Sequence, residues 1–137
     1  QEPIILDDKI ITNITLESNQ KKIDHKSLNN AIHQANFKEV IDSLPNKIDT
    51  FIGDNGIRLS GGQNKRLALS RAFYHGKKIF VMDEATSSLD EITENKIAEE
   101  IKNIKGKTTM VIVSHSKNIL KYCDYVYIIK DKSIKLL

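Results

Sequence analysis

Three short runs in the sequence bring together residue types that can do chemistry. Ile79-Phe80-Val81-Met82 ends abruptly in Asp83-Glu84, Ser60-Gly61-Gly62-Gln63 opens a basic amphipathic segment, and Met110-Val111-Ile112-Val113 ends in Ser114-His115. An apolar run that stops at adjacent carboxylates puts acids at the carboxyl edge of a sheet, where ligands bind in open α/β folds. An Asp at such an edge can hold Mg²⁺, directly or through water. A neighbouring Glu can accept a proton from an attacking water. A histidine at the end of the next strand can contact a phosphate or that water. With Ser60 as N-cap, Gly61 and Gly62 fall in the first helical turn, whose N–H groups lack intrahelical partners. Without β-carbons there, an anion can approach those donors, and the helix dipole favours it.

Taken singly, each run also has an ordinary reading: a glycine-rich turn, a solvated acidic loop, a histidine satisfied in a turn. Magnitudes limit the Ser60–Gln63 run further. A helix terminus contributes about 1–2 kcal/mol to an anion, whereas even millimolar affinity needs about 4 kcal/mol. The Ser-Gly-Gly turn can therefore form only one wall of a phosphate site.

The elements that must position these groups follow from periodicity. Asp7 or Asp8 is expected to cap a short helix over Lys9–Leu16. Asp24 is expected to cap another that runs through Ala35, with Leu28, Ala31, Ile32 and Ala35 on one stripe. Phe37–Leu44 forms a third, with Pro45 beyond its end, and 46–59 reads as a loop. A further helix should run from Ser60 to about His75 and stop at Gly76. Ile79–Met82 reads as a strand buried on both faces, as in a parallel sheet. Asp90 should cap a helix over Glu91–Lys105, with Ile97, Ile101 and Ile104 on its apolar face and Gly106 at its end. Met110–Val113 is a second buried strand, Lys117–Tyr122 a short helix, and Val126–Ile129 a third strand. Ile134–Leu137 is placed to pair with that third strand as a hairpin. The alternation of strand and helix after residue 76 argues for an α/β layer. The first third lacks it and reads as a helical subdomain.

The 137 residues suit about one domain, with 39% apolar and 28% charged residues. A net charge of +3 is too weak to argue for nucleic acid. The single cysteine, Cys123, excludes an internal disulfide, and it reads as a small buried hydrophobe. No apolar run approaches the roughly 18 residues of a membrane-spanning helix. His25, His33 and His75 read as solvated, and Lys65, Arg66 and Arg71 as solvated or ion-paired.

Together the motifs resemble those of the ATP-binding cassette (ABC) ATPases. Leu59–Gln63, LSGGQ, resembles their signature. Residues 79–90, IFVMDEATSSLD, resemble their Walker B strand, catalytic glutamate and D-loop, and 111–116, VIVSHS, their switch-histidine strand. Residues 1–14 resemble the segment that starts at the Q-loop glutamine. Residues 50–56, TFIGDNG, look like the loop before the signature in exporter-type members. Asp54 stands where exporters usually have Glu, Ser116 where Arg is common, and Lys132 at a turn position where Gly is usual.

The resemblance implies a partial P-loop NTPase (RecA-like) α/β core with parallel strands plus a helical signature subdomain. Residues 1–76 would hold the Q-loop and helical part, and 77–137 the later part of the ATPase core. It implies ATP and Mg²⁺ as cofactors. Asp83 would hold Mg²⁺, Glu84 would be the general base, and His115 would stabilise the γ-phosphate. Gln1 would reach the Mg²⁺ and the water. Ser60, Gly61, Gly62 and Gln63 would bind the γ-phosphate of ATP held by a second, facing cassette. Ser88 and Asp90 would lie in the D-loop at that contact. The implied partners are that second nucleotide-binding domain, as homo- or heterodimer, and a transmembrane domain. The implied location is the cytoplasmic face of a membrane, the inner one in a bacterium.

One family motif is missing. No Gly-x-x-x-x-Gly-Lys-Ser/Thr phosphate loop occurs in the 137 residues. Gly56 and Gly61 have the spacing, but Gly62-Gln63 follows. Gly106-Lys107-Thr108 has the ending, but Ile101 stands where the first glycine belongs. The chain is therefore expected to be part of a longer protein, starting at the Q-loop, and to be inactive alone. The function expected is ATP hydrolysis that drives export across a membrane. The alternatives are a soluble relative acting on DNA or ribosomes, disfavoured by the short Gln1–Ser60 spacing, and a degenerate cassette, disfavoured by Glu84 and His115.

Overall fold

The computed structural model describes residues 3–130 and 132–137. Gln1, expected to reach the metal, lies outside the described residues. The element order is β1 (Asp8–Lys9), α1 (Ile10–Thr15), α2 (His25–Gln34), α3 (Lys38–Ser43), β2 (Phe51–Ile52), α4 (Gly61–His75), β3 (Ile79–Asp83), α5 (Glu91–Ile104), β4 (Thr109–Val113), α6 (Lys117–Leu120), β5 (Tyr127–Lys130) and β6 (Ser133–Leu136). Short 3-10 turns at Gln20–Lys22 and Lys47–Asp49 complete the path. The chain is thus α/β, with its helices concentrated before residue 76.

Helix ends sit where the side chains can satisfy them. Asp24 accepts from the N–H groups of Lys26 and Ser27 at the start of α2. Ser60 and Gln63 form a reciprocal capping box on α4: Gln63 Oε1 accepts from Ser60 N–H at 2.8 Å, and Ser60 Oγ from Gln63 N–H at 3.3 Å. Gly76 closes α4 at φ 49°, a left-handed conformation that suits glycine. The expected cap of α1 is corrected. Lys9 is its N-cap without a side-chain bond. Asp7 instead accepts from the backbone and side chain of Asn55, and Asp8 pairs with Ile52 in the β1–β2 ribbon. These contacts across more than forty residues outweigh the local cap.

The helix α4 packs against α1 and α2. Buried residues from Ile10 to Ile119 form one apolar cluster that includes Phe37, Leu67, Phe80 and Ile97. Phe73 of α4 stacks on Phe80 of β3, with ring centroids 5.5 Å apart. Strands β3 and β4 pair in parallel, Ile79 opposite Thr109 and Asp83 opposite Val113, with α5 as the crossover. Because both strands run the same way, the residues after Asp83 and after Val113 emerge at one edge.

Two expectations about the sheet are corrected. Strand β3 is buried on one face only: Phe80 and Met82 are 8% and 3% exposed, whereas Ile79 and Val81 are 64% and 70% exposed. An apolar run marks both faces as suited to burial, but only one has protein against it among the described residues. Val111 and Val113 of β4 are exposed as well, and a cleft of about 600 Å³ opens between α4 and β3 beside Ile79 and Val81. The third strand, β5, does not join β3–β4. Among the described residues it pairs only with β6, as the antiparallel hairpin expected. Lys132 turns that hairpin at φ 58°, where the resemblance led us to expect a position usually held by Gly. No described helix is long and apolar enough to cross a membrane.

Candidate active site

The parallel register of β3 and β4 assembles the acid edge. Glu84 N–H donates to the Val113 carbonyl at 2.9 Å, which carries the ladder one residue past Asp83. The Glu84 backbone then turns sharply, at φ 48°. A non-glycine residue in that region costs about 1–2 kcal/mol. Such outliers persist when the surroundings fix them, and they cluster at functional sites. His115 leaves the end of β4 so that its Nε2 stands 3.5 Å from Glu84 Oε1. The imidazole is almost fully exposed and the carboxylate half-exposed, so the pair faces the open side of the edge. Asp83, also exposed, is the last residue of β3.

The two signature glycines have different surroundings. A β-carbon on Gly62 would stand 2.8 Å from the Ser88 carbonyl oxygen, too close for any real contact, whereas one on Gly61 would meet nothing within 4 Å. The close approach at Gly62 is therefore made by the chain's own 84–90 loop, and the open side of the turn lies at Gly61. Ser60 and Gln63 spend their capping atoms on each other. Asp90 caps α5 through Thr93 N–H at 2.9 Å, and that backbone bond, above the Thr93 side-chain bond, holds its carboxyl below the usual range. Ser88 is exposed apart from its carbonyl's contact with Gly62.

Asp83, Glu84 and His115 are thus brought together at one edge, and Gly62 and Ser88 at an adjoining contact. Among the described residues no three His, Cys, Asp or Glu side chains gather into a metal cage. Mg²⁺ does not need one. It is commonly held by one or two carboxylates together with substrate phosphates, and the exposed Asp83 oxygens fit that use.

More than half of the chain, residues 4–87, matches the family model described as ABC transporter. The chain belongs to the ABC transporter family. It is 34% identical over 131 residues to an ATP-dependent lipid A-core flippase of Coxiella burnetii, covering 96% of this chain and 22% of that protein. It is 35% identical over 136 residues to a protein of the same name from Ralstonia nicotianae, covering 98% and 23%. It is 32% identical over 135 residues to ATP-binding cassette sub-family B member 5 of Mus musculus, covering 98% and 11%. This ABC transporter chain therefore spans less than a quarter of the length of each of these relatives. The run 106–108 that mimics the end of a phosphate loop lies between α5 and β4, helix before strand, which is the reverse of a phosphate loop's order.

Sequence reading undervalued three side chains of the ABC chain. Arg71 is half-buried and, among the described residues, makes no ion pair. Its guanidinium donates to the Asn13 carbonyl at 2.7 Å, to Asn13 Oδ1 at 3.3 Å and to the Ile4 carbonyl at 3.0 Å, and burial lowers its pKa. Asn13, fully buried, in turn bonds the backbone of Leu6, Asp8 and Lys9. The pair fastens the segment after Pro3 to the signature helix. Lys65 donates to the Glu84 carbonyl at 2.9 Å and to the Ser87 hydroxyl. The spacing held a signal: Gly62 and Lys65 are three apart and share one helix face, so both meet the same loop. His75, expected to be solvated, is half-buried, and its Nε2 has no partner among the described residues.

Proposed function

We propose that this chain is the signature and Walker B part of an ATP-hydrolysing cassette that drives export across a membrane. The observation that carries the reading is the Asp83–Glu84–His115 edge on two parallel strands, beside a capped Ser-Gly-Gly turn, in a chain of the ABC transporter family. Glu84 is the general base that takes a proton from the attacking water. His115, within reach of the same carboxylate, steadies the γ-phosphate. Asp83, with Gln1, holds Mg²⁺, which when bound neutralises charge on the phosphates. The turn at Ser60, Gly61, Gly62 and Gln63 closes on ATP held by a second cassette, with Ser88 and Asp90 at that contact. Residues 1–76 act as the lid and 77–137 as the catalytic edge.

The complete protein then works as a pair of cassettes joined to transmembrane domains, with the cassettes on the cytoplasmic side. Names of the relatives support ATP-driven export as the class of activity. The chain by itself, without a phosphate loop, is expected not to hydrolyse ATP.

Phosphate release by the complete protein in lipid vesicles tests the reading. Glu84→Gln is expected to slow release by about 10²–10⁴-fold, the range for loss of a general base. Near-normal release by that variant removes Glu84 from the role. Release that depends on DNA or ribosomes rather than on lipid overturns the export reading.

A further inference from the structure

One side chain of the signature helix reaches the acid edge. The Lys65 ammonium donates to the Glu84 carbonyl at 2.9 Å and to the Ser87 hydroxyl. Ser87 N–H donates to the same Glu84 carbonyl at 3.2 Å, and Glu84 N–H is held by the Val113 carbonyl at 2.9 Å. Both peptide groups of Glu84 are therefore fixed, one by strand β4 and one by helix α4. These bonds span a residue at φ 48°, outside the basins an ordinary side chain prefers. If the carbonyl were released, the backbone could relax toward those basins and the Glu84 carboxylate would move with it. Among the described residues Lys65 takes part in no ion pair, so it acts here as a hydrogen-bond donor. The Ser88 carbonyl lies so close to Gly62, one turn earlier on the same helix face, that a β-carbon there would stand 2.8 Å from it, so the other end of this loop packs against the same helix.

We propose that Lys65 is a positioning residue: it clamps the 84–87 turn so that the Glu84 carboxylate faces His115 and the water to be activated. The signature helix is thereby tied to the base within one chain. The proposal rests on the reading of Glu84 as general base.

The test is steady-state ATP hydrolysis by the complete protein in lipid vesicles, with a melting temperature recorded for every variant so that rates refer to folded protein. Lys65→Met is expected to lower kcat by about 10–100-fold, the scale of a misplacement near 1 Å, with KM for ATP changed by less than about twofold. Lys65→Arg, which keeps a donor, is expected to recover most of the loss. Ser87→Ala is expected to add little on top of Lys65→Met, because the two share one contact. If Lys65→Met does not fold, Lys65→Gln is expected to give an intermediate kcat with unchanged KM. Wild-type kcat in Lys65→Met, or in Lys65→Gln where that variant is used, while Glu84→Gln is slow overturns the clamp and leaves the base intact. A change in KM alone, or no rescue by arginine, also overturns it. Near-normal hydrolysis by Glu84→Gln overturns the base reading instead, and the clamp with it.

Discussion

The helical half and the sheet half of this chain are finished to different degrees. Around α1, α2 and α4, the central apolar side chains are covered. Ile10, Ile14, Leu28, Phe37 and Leu67 are all within 1% of full burial, and the Arg71–Asn13 network satisfies the backbone that enters them. Around β3 and β4 only one face is covered among the described residues, and the β5–β6 hairpin is exposed along both strands. The half that carries the signature turn holds its own geometry. The half that carries the acids borrows part of its geometry from the first, through Lys65 and Gly62. The candidate acid edge thus sits at the seam between a self-supporting region and one with an open face.

Stability measurements can break that comparison. The largest effect is expected inside the helical half. Leu67→Ala, at a fully buried site, is expected to cost about 2–5 kcal/mol in urea melts of the 137-residue chain. Val81→Ala on the open face is expected to cost less than about 0.5 kcal/mol, as surface substitutions do. In the complete protein the cost at Val81 is expected to rise if a further layer covers that face. Similar costs at the two positions in the isolated chain would contradict the contrast.

The seam itself is sharpened by the two glycines. Gly62→Ala forces a methyl against the Ser88 carbonyl and is expected to destabilise by about 1–3 kcal/mol, the range for overpacking. Gly61→Ala meets open space and is expected to be neutral or slightly stabilising, because alanine favours helix. Equal effects would remove the loop contact as the reason for Gly62.

The smallest effect is a pH slope at the end of α4. Burial first, then the charges of Lys77 and Arg71, hold the His75 imidazole below its ordinary value of 6.5. As pH falls through 6.5, the unfolded chain takes up this proton before the folded one, so stability is lost below that value and not above it. Between pH 7 and pH 5.5 the urea midpoint of His75→Gln is expected to fall less than that of the wild-type chain. An equal fall would return His75 to the solvated class.

These contrasts also mark what could be read from the residues alone. Caps at Asp24, Ser60 and Asp90 and the stop at Gly76 were legible because each is a local bargain between a side chain and the next turn. The acid edge was legible because a strand's end and its carboxylates are adjacent in sequence. Asp7 was not, because its partner Asn55 lies far along the chain. The open face of β3 was not, because Ile79 and Val81 look the same to a pattern whether or not anything covers them. Lys65 and Arg71 read as solvated or ion-paired groups because nothing in their local spacing reveals a carbonyl brought from elsewhere. The fold class and the edge were therefore readable, and the seam that holds them in register was not.

The central claim is that this chain brings a closing turn and an acid edge to a nucleotide whose phosphates are cradled by other segments. Calorimetric titration of the 137-residue chain with Mg·ATP tests it most directly, once circular dichroism has shown that the helices are formed. The account predicts no binding tighter than about millimolar, because the capped turn alone supplies only ~1–2 kcal/mol. A micromolar, one-to-one complex with the monomeric chain would contradict it.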